Sequence, residues 1–216
     1  MKFVNFAKYS DLEKIARARA AHFEYADRLR EKGKLAVGGP LVDEENKRVG
    51  LLFIYDAASK EEAQSFVQHD PFTRANALSS YELREWRIRG VDRGLLIKAN
   101  RSADQAGGNT SIRLFASYAN YSADNAKLSR VRPAHWAYDR TIESRGKLAL
   151  AGPFADNEGG LFVYSAPSRG EALSLLAQDP FSVEGVFKDY QLFEWLIEGV
   201  RPDLLVSDFA SKPSEE

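Results

Sequence analysis

The sequence predicts an α+β fold made twice over, and three observations predict it. A set of short words recurs in one order: Arg19-Ala20-Ala21-His22 returns as Arg132-Pro133-Ala134-His135, Gly33-Lys34-Leu35-Ala36 as Gly146-Lys147-Leu148-Ala149, and Gly39-Pro40 as Gly152-Pro153. Leu52-Phe53-Ile54-Tyr55 then returns as Leu161-Phe162-Val163-Tyr164, Asp70-Pro71-Phe72 as Asp179-Pro180-Phe181, and Glu85-Trp86 as Glu194-Trp195. Within each copy, strand-like and helix-like periodicities alternate as βαββαβ. Between the copies lies the small, polar stretch Arg101 to Thr110, which reads as a linker.

The elements of the first copy follow in order. Phe3 to Tyr9 reads as an aromatic-rich strand, and Ser10-Asp11-Leu12-Glu13 as a capping box that starts a helix at Ser10. Helical spacing runs through Leu12, Ile15, Arg19, His22, Phe23, Ala26 and Leu29 until Gly33 stops it. Lys34 to Val42 and Val49 to Asp56 read as strands joined by the polar Asp43-Glu44-Glu45-Asn46 loop. Ser59-Lys60-Glu61-Glu62 opens a second helix, which Pro71 forbids beyond His69. Alternation from Tyr81 to Ile88 supplies the closing strand.

Two helices on one face of a four-stranded antiparallel sheet give a ferredoxin-like sandwich. Its other face is bare, so the two sheets are expected face to face, as an intrachain pseudo-dimer of the dimeric α/β-barrel kind. Association of whole chains is left open. The expected division is domain one at 1–92, a linker at 93–111, domain two at 112–201 and a flexible tail at 202–216.

Composition excludes several classes of function. The net charge of -1 gives no bulk attraction to nucleic acid or anionic lipid, and the chain has no cysteine, which removes disulfides, thiolate nucleophiles and thiolate metal sites. No stretch approaches the roughly 18 apolar residues of a spanning helix. The expectation is a cytoplasmic protein with no membrane or nucleic-acid partner. Gly160 to Tyr164 faintly matches the aromatic strand of RNA-recognition motifs but lacks its basic residue.

The recurring words also carry chemistry. His22 follows the Ser10 cap by twelve positions, about 18 Å along a helix axis, towards the end of the sheet where Asp70 lies. His135 and Asp179 repeat the arrangement, with Pro133 a potential kink before the histidine. An aspartate bonded to an imidazole fixes its tautomer and leaves the other nitrogen to exchange protons near neutral pH. Arg19 and Arg132, one turn before each histidine, could hold a carboxylate or phenolate. Each has a blander reading: Asp-Pro as a helix stop, the arginines as surface ion pairs, and Trp86, Trp195, Phe72 and Phe181 as packing. His69 becomes Gln178 in the second copy and is set aside. No metal or cofactor site is expected from the three histidines.

Arg-x-Ala-His, Gly-Lys-Leu-x-x-x-Gly-Pro and Asp-Pro-Phe resemble the words of the YCII-related family, over Phe3 to Gly90 and Leu114 to Gly199. The second copy is nearly standard; the first has Ala20 for proline and Gly38-Gly39-Pro40-Leu41 for Ala-Gly-Pro-Phe. The resemblance implies a ferredoxin-like fold that pairs through its sheets, and a histidine–aspartate pair as active-site candidate. It also implies relatives that include isomerases, dehalogenating enzymes and oxygenases of small, often aromatic, metabolites. Two functions are therefore carried forward: a cofactor-independent acid–base enzyme using His22, Asp70, His135 and Asp179, or a non-catalytic ligand-binding or assembly module.

Overall fold

The computed structural model describes residues 1–100 and 112–209. Arg101 to Thr110, read above as linker, and the Ser211 to Glu216 tail lie outside the described residues. The first half comprises β1 (Lys2–Tyr9), α1 (Leu12–Glu31), β2 (Leu35–Val42), β3 (Arg48–Asp56), α2 (Lys60–His69), the one-turn α3 (Pro71–Arg74) and β4 (Leu78–Trp86). A short β5 (Gly90–Val91) and α4 (Arg93–Ala99) follow. The second half repeats the plan in β6 (Leu114–Tyr121), α5 (Asn125–Ser144), β7 (Leu148–Pro153), β8 (Gly159–Ser165), α6 (Arg169–Gln178), α7 (Pro180–Val183) and β9 (Phe187–Trp195). The βαββαβ reading thus holds, with an extra helical turn in each copy.

Local chemistry explains the boundaries. Asp11, not Ser10, caps α1, accepting from the backbone N–H of Glu13 and Lys14 at 3.0 Å. The carboxylate competes successfully for the orphan donors, which corrects the expected capping box by one residue. Ser59 caps α2 as expected. Gly33 and Gly146 take φ of +68° and +66° just past α1 and α5, the left-handed step that lets each helix turn into the next strand. Pro133 sits inside α5, which runs from Asn125 to Ser144, so the helix does not restart before His135.

The strands form one sheet in the order β4-β1-β3-β2-β9-β6-β8-β7-β5. Each half contributes the ferredoxin-like order, and the halves meet at two seams. Residues following β9 bond along β2 (Leu196 N to Pro40 O 3.0 Å, Glu198 N to Gly38 O 2.9 Å). Residues following β4 bond along β7 in the same way (Arg87 N to Pro153 O 3.0 Å, Arg89 N to Ala151 O 2.8 Å). The Gly-Pro words mark these seams: a Cβ on Gly39 would run into the carbonyl oxygen of Leu196, and one on Gly152 into that of Arg87. Trp86 and Trp195 tie the halves together by donating their indole N–H to Gly152 O (2.7 Å) and Gly39 O (3.2 Å).

The faces away from the helices enclose one shared core. Val4, Phe6, Leu52, Ile54 and Trp86 of the first half pack with Leu114, Tyr118, Leu161, Val163 and Trp195 of the second. Phe6 stacks on Tyr118 with ring centroids 4.9 Å apart. The sheets therefore face each other as expected, and hydrogen bonding across both seams joins them into a barrel. Two expected boundaries need correction. Residues 93–99 are helix rather than linker, burying Leu95, Leu96 and Ala99 against the shared core. Residues 202–209 are not a loose tail: Leu205 is fully buried, and the Asp208 carboxylate accepts from Ile88 N at 2.7 Å. Apolar side chains at 95, 96 and 205 have no other place to leave water.

Candidate functional site

Each Asp-Pro-Phe word builds one corner of a site. Asp70 ends α2 and caps α3; its Oδ1 accepts from Phe72 N at 2.8 Å, with Pro71 at the position where a missing N–H costs nothing. The same oxygen lies 2.8 Å from His22 Nδ1, and both side chains are buried. Phe72, turned inward by the one-turn helix, stacks flat on the imidazole at 3.9 Å with planes 12° apart. One Asp70 carboxylate thus both caps the helical turn that follows α2 and bonds the imidazole.

The second half reproduces this arrangement. His135 Nδ1 lies 2.8 and 2.9 Å from the two Asp179 oxygens, Phe181 N donates to Asp179 Oδ1 at 2.8 Å, and Phe181 stacks on the ring at 3.8 Å and 9°. The two pairs differ at the other nitrogen. Nε2 of His22 has no partner among the described residues and faces a cavity of about 460 Å³. Nε2 of His135 lies 3.3 Å from Asp139 Oδ2, one turn further along α5. Burial pushes the Asp139 carboxyl up to about 7, against an opposing pull from His135. The cavity over this second pair measures about 140 Å³.

The larger cavity is lined by Leu12, Ile15, Phe23, Leu51, Phe53 and Phe72, with Arg19, Arg30, Lys47 and Arg48 at its polar edge. Glu198 reaches in from the other half across the seam and pairs with Arg48 at 3.3 Å. Tyr9 also lines it, its ring edge-on to Phe72 at 5.9 Å and its hydroxyl without a partner among the described residues. Burial raises the Tyr9 phenol far above its ordinary value, so it stays a proton-bearing donor. Arg19 is exposed, its guanidinium 5.2 Å from the Phe23 ring centroid, and Arg132 lines the smaller cavity. The structure thus brings Arg19 to His22's cavity and Arg132 to His135's.

His135, Asp139 and Asp179 form a compact group whose donor atoms lie within 4.8 Å of one another. The carboxylates sit against opposite nitrogens of one imidazole, which suits two hydrogen bonds better than convergence on one ion. Sequence reasoning missed Asp139, Tyr9, Arg89 and Glu198. Tyr9 could have been found, because Tyr121 follows the same strand in the second half and likewise meets Phe181 edge-on, at 5.4 Å. The aromatic strand suspected of resembling an RNA platform is closed to bases, since Phe162 and Tyr164 are buried.

A closed pair of ferredoxin-like halves, each holding a buried imidazole–carboxylate couple under an aromatic ring, defines a tandem dimeric α/β barrel. The chain belongs to the YCII-related domain family, whose model matches residues 1–87 and 114–196. Its fold is similar to that of a chlorite dismutase variant from Candidatus Nitrospira defluvii, with a TM-score of 0.57 at 10% identity over 94% of this chain and 92% of that one. A putative monooxygenase from Fusobacterium nucleatum is similar as well, with a TM-score of 0.53 at 10% identity, covering 92% and 91%. The 5-chloro-2-hydroxyhydroquinone dehydrochlorinase of Burkholderia phenoliruptrix, solved with 2,5-dihydroxybenzoquinone, aligns at 30% identity over 42% of this chain and 96% of its own, with a TM-score of 0.37. No curated protein matches. No helix among the described residues is long and apolar enough to cross a membrane.

Proposed function

We propose that the first half is the reaction centre of a small-molecule enzyme, in which His22 moves a proton on an aromatic or anionic ligand and Asp70 holds the imidazole in the productive tautomer. The observation that carries this reading is the division of the imidazole's two nitrogens: Nδ1 bonded to a buried carboxylate, Nε2 uncommitted at a roomy cavity. Aromatic walls favour a ring, and the arginines favour a phenolate or carboxylate on it. Nε2 takes a proton from a carbon or hydroxyl of the ligand. In an isomerisation the proton returns to a second carbon; in an elimination the C–H electron pair becomes the new π bond as an adjacent substituent leaves with its bonding pair. Tyr9 donates a hydrogen bond to the ligand oxygen on which charge develops.

His135 and Asp179 are proposed as the same device with Nε2 occupied, so that their turnover requires Asp139 to withdraw. The test is a panel of substituted phenols, hydroxyquinones and aryl carboxylates assayed for proton exchange, isomerisation or loss of a substituent. Turnover should fall about 10²–10⁴-fold in His22→Ala and Asp70→Asn variants. His22→Ala leaves the buried Asp70 carboxylate unpaired and should melt below the parent, so its turnover is read at a temperature where circular dichroism shows it folded, and His135→Ala should retain most activity. Saturable binding without turnover across the panel would replace this reading with that of a ligand-binding module.

A further inference from the structure

We infer that the smaller cavity of the second half is a binding site for a small oxyanion, distinct from the proposed reaction centre. Three arginines line this cavity. Arg87 and Arg89 arrive from the first half, on the stretch that follows β4 along the seam, and Arg132 arrives from α5. None of the three has a hydrogen-bonded or ion-paired side-chain partner within the described residues. The guanidinium of Arg89 lies 3.4 Å from the Trp136 ring centroid and 5.1 Å from that of Phe209. Ring contacts occupy the flat faces of a guanidinium and leave its N–H edge free to fork onto two oxygens.

The charges are poorly compensated. Burial and the neighbouring Arg140 and Arg132 disfavour the charged form of Arg89, while Asp139 favours it. Asp139 lines the same cavity: its Oδ2 is turned to His135 Nε2, its Oδ1 is buried without a hydrogen-bond partner, and burial holds the carboxyl towards its proton-bearing form, which donates to an oxyanion instead of repelling it. An added anion would relieve the mutual repulsion of the arginines. The remaining lining is Tyr121, His135, Asn157 and aromatic or proline surface, which adds polar edges for a second oxygen but no further acid.

Size fixes the class of ligand. The space of about 140 Å³ is close to the engineered cavity of about 150 Å³ that takes a benzene molecule, so it admits about six heavy atoms. A short-chain carboxylate or inorganic phosphate satisfies that limit; the larger aromatic ligand proposed for His22 does not. The first half does not repeat this arrangement: Glu198 stands where Arg89 stands in the second half, and Phe23 replaces Trp136.

The probe is Trp136, one of three tryptophans in the chain and the only one outside the shared core. Its indole N–H resonance, assigned with Trp136→Phe, is followed while acetate and inorganic phosphate are titrated separately at constant chloride. A saturable shift by either anion is expected, its Kd weakened at least about tenfold in Arg89→Leu and unchanged in His22→Ala. Acetate acting alone would identify a planar carboxylate site, and phosphate acting alone a tetrahedral one. Arg89→Lys retains charge without the planar fork and guards against loss of folding; it should bind, but more weakly than the parent. No saturable shift by either anion, or a shift that survives Arg89→Leu in a folded protein, overturns the assignment. Turnover at His22 is read separately, so either conclusion can fail without the other.

Discussion

The Asp139 carboxylate lies 3.3 Å from Nε2 of His135, and its counterpart in the first half is Ala26, which places no polar group near His22. This side chain closes the second imidazole at both nitrogens, whereas the first stays open at one.

Burial of the Asp139 carboxyl sets a pH dependence, against the pull of His135. The folded-state value of Asp139 is about 7 against an ordinary 3.8, so between these values the native state holds a proton that the unfolded chain has released. Its contribution to stability is fully present below about pH 4 and is lost as pH rises through about 7. Asp139→Asn keeps a polar partner for His135 without the ionisation. Its melting temperature should exceed the parent's by several degrees at about pH 8, with the gap narrowing towards pH 5. Parallel melting curves for the two proteins across that range would refute the assignment.

Phe72 and Phe181 carry both core packing and the face of an imidazole. Either phenylalanine replaced by alanine should cost about 3–5 kcal/mol, measured by urea unfolding. Leucine should cost less in stability while still removing the flat stack on the histidine. For Phe72→Leu the expected signature is a modest loss of stability with a larger loss of turnover.

Gly152 has no room for a side chain against Arg87 O. Gly152→Ala should force the seam apart and destabilise the protein by about 1–3 kcal/mol. Hydrogen exchange should quicken at the amides of Arg87 and Arg89, which bond across that seam, and change little at the amides of Leu196 and Glu198. Uniform acceleration at both seams would mean that they do not open independently.

Trp86→Phe removes the indole N–H that bonds to Gly152 O at 2.7 Å while keeping an apolar ring in the shared core. A loss of about 1–2 kcal/mol is expected from the lost hydrogen bond and the smaller ring. Trp195→Phe should cost less, since its bond to Gly39 O is longer at 3.2 Å.

Much of this was legible before any coordinates. Recurrence singled out His22, Asp70, His135 and Asp179 because two diverging halves had kept them, and the Gly-Pro words because only glycine fits beside a crossing strand. The same logic hid Asp139, Arg89 and Glu198. Each is present in one half and replaced in the other, so a search for what repeats passes over them. Ser10 reads as a cap because Ser-x-x-Glu and the adjacent Asp11 offer the helix two acceptors, and only the backbone path decides that Asp11 is used. The helix at 93–99 reads as linker because seven residues, under two helical turns, are too short to display a helical period.

The sequence by itself determined the duplicated βαββαβ order and the pairing of bare sheet faces, and it set each histidine towards the end of the sheet where its aspartate lies. These follow from periodicity, capping and repetition, which are properties of short stretches of chain. Only the tertiary structure decided that His22 opens onto a cavity while His135 is closed by Asp139, and that Glu198 and Arg89 each cross into the other half's site. The physical reason is that the strands continue past their own sheets and bond along the opposite half. Residues far apart in the chain, such as His22 and Glu198 or Arg89 and His135, therefore share one cavity, at distances that no local pattern encodes.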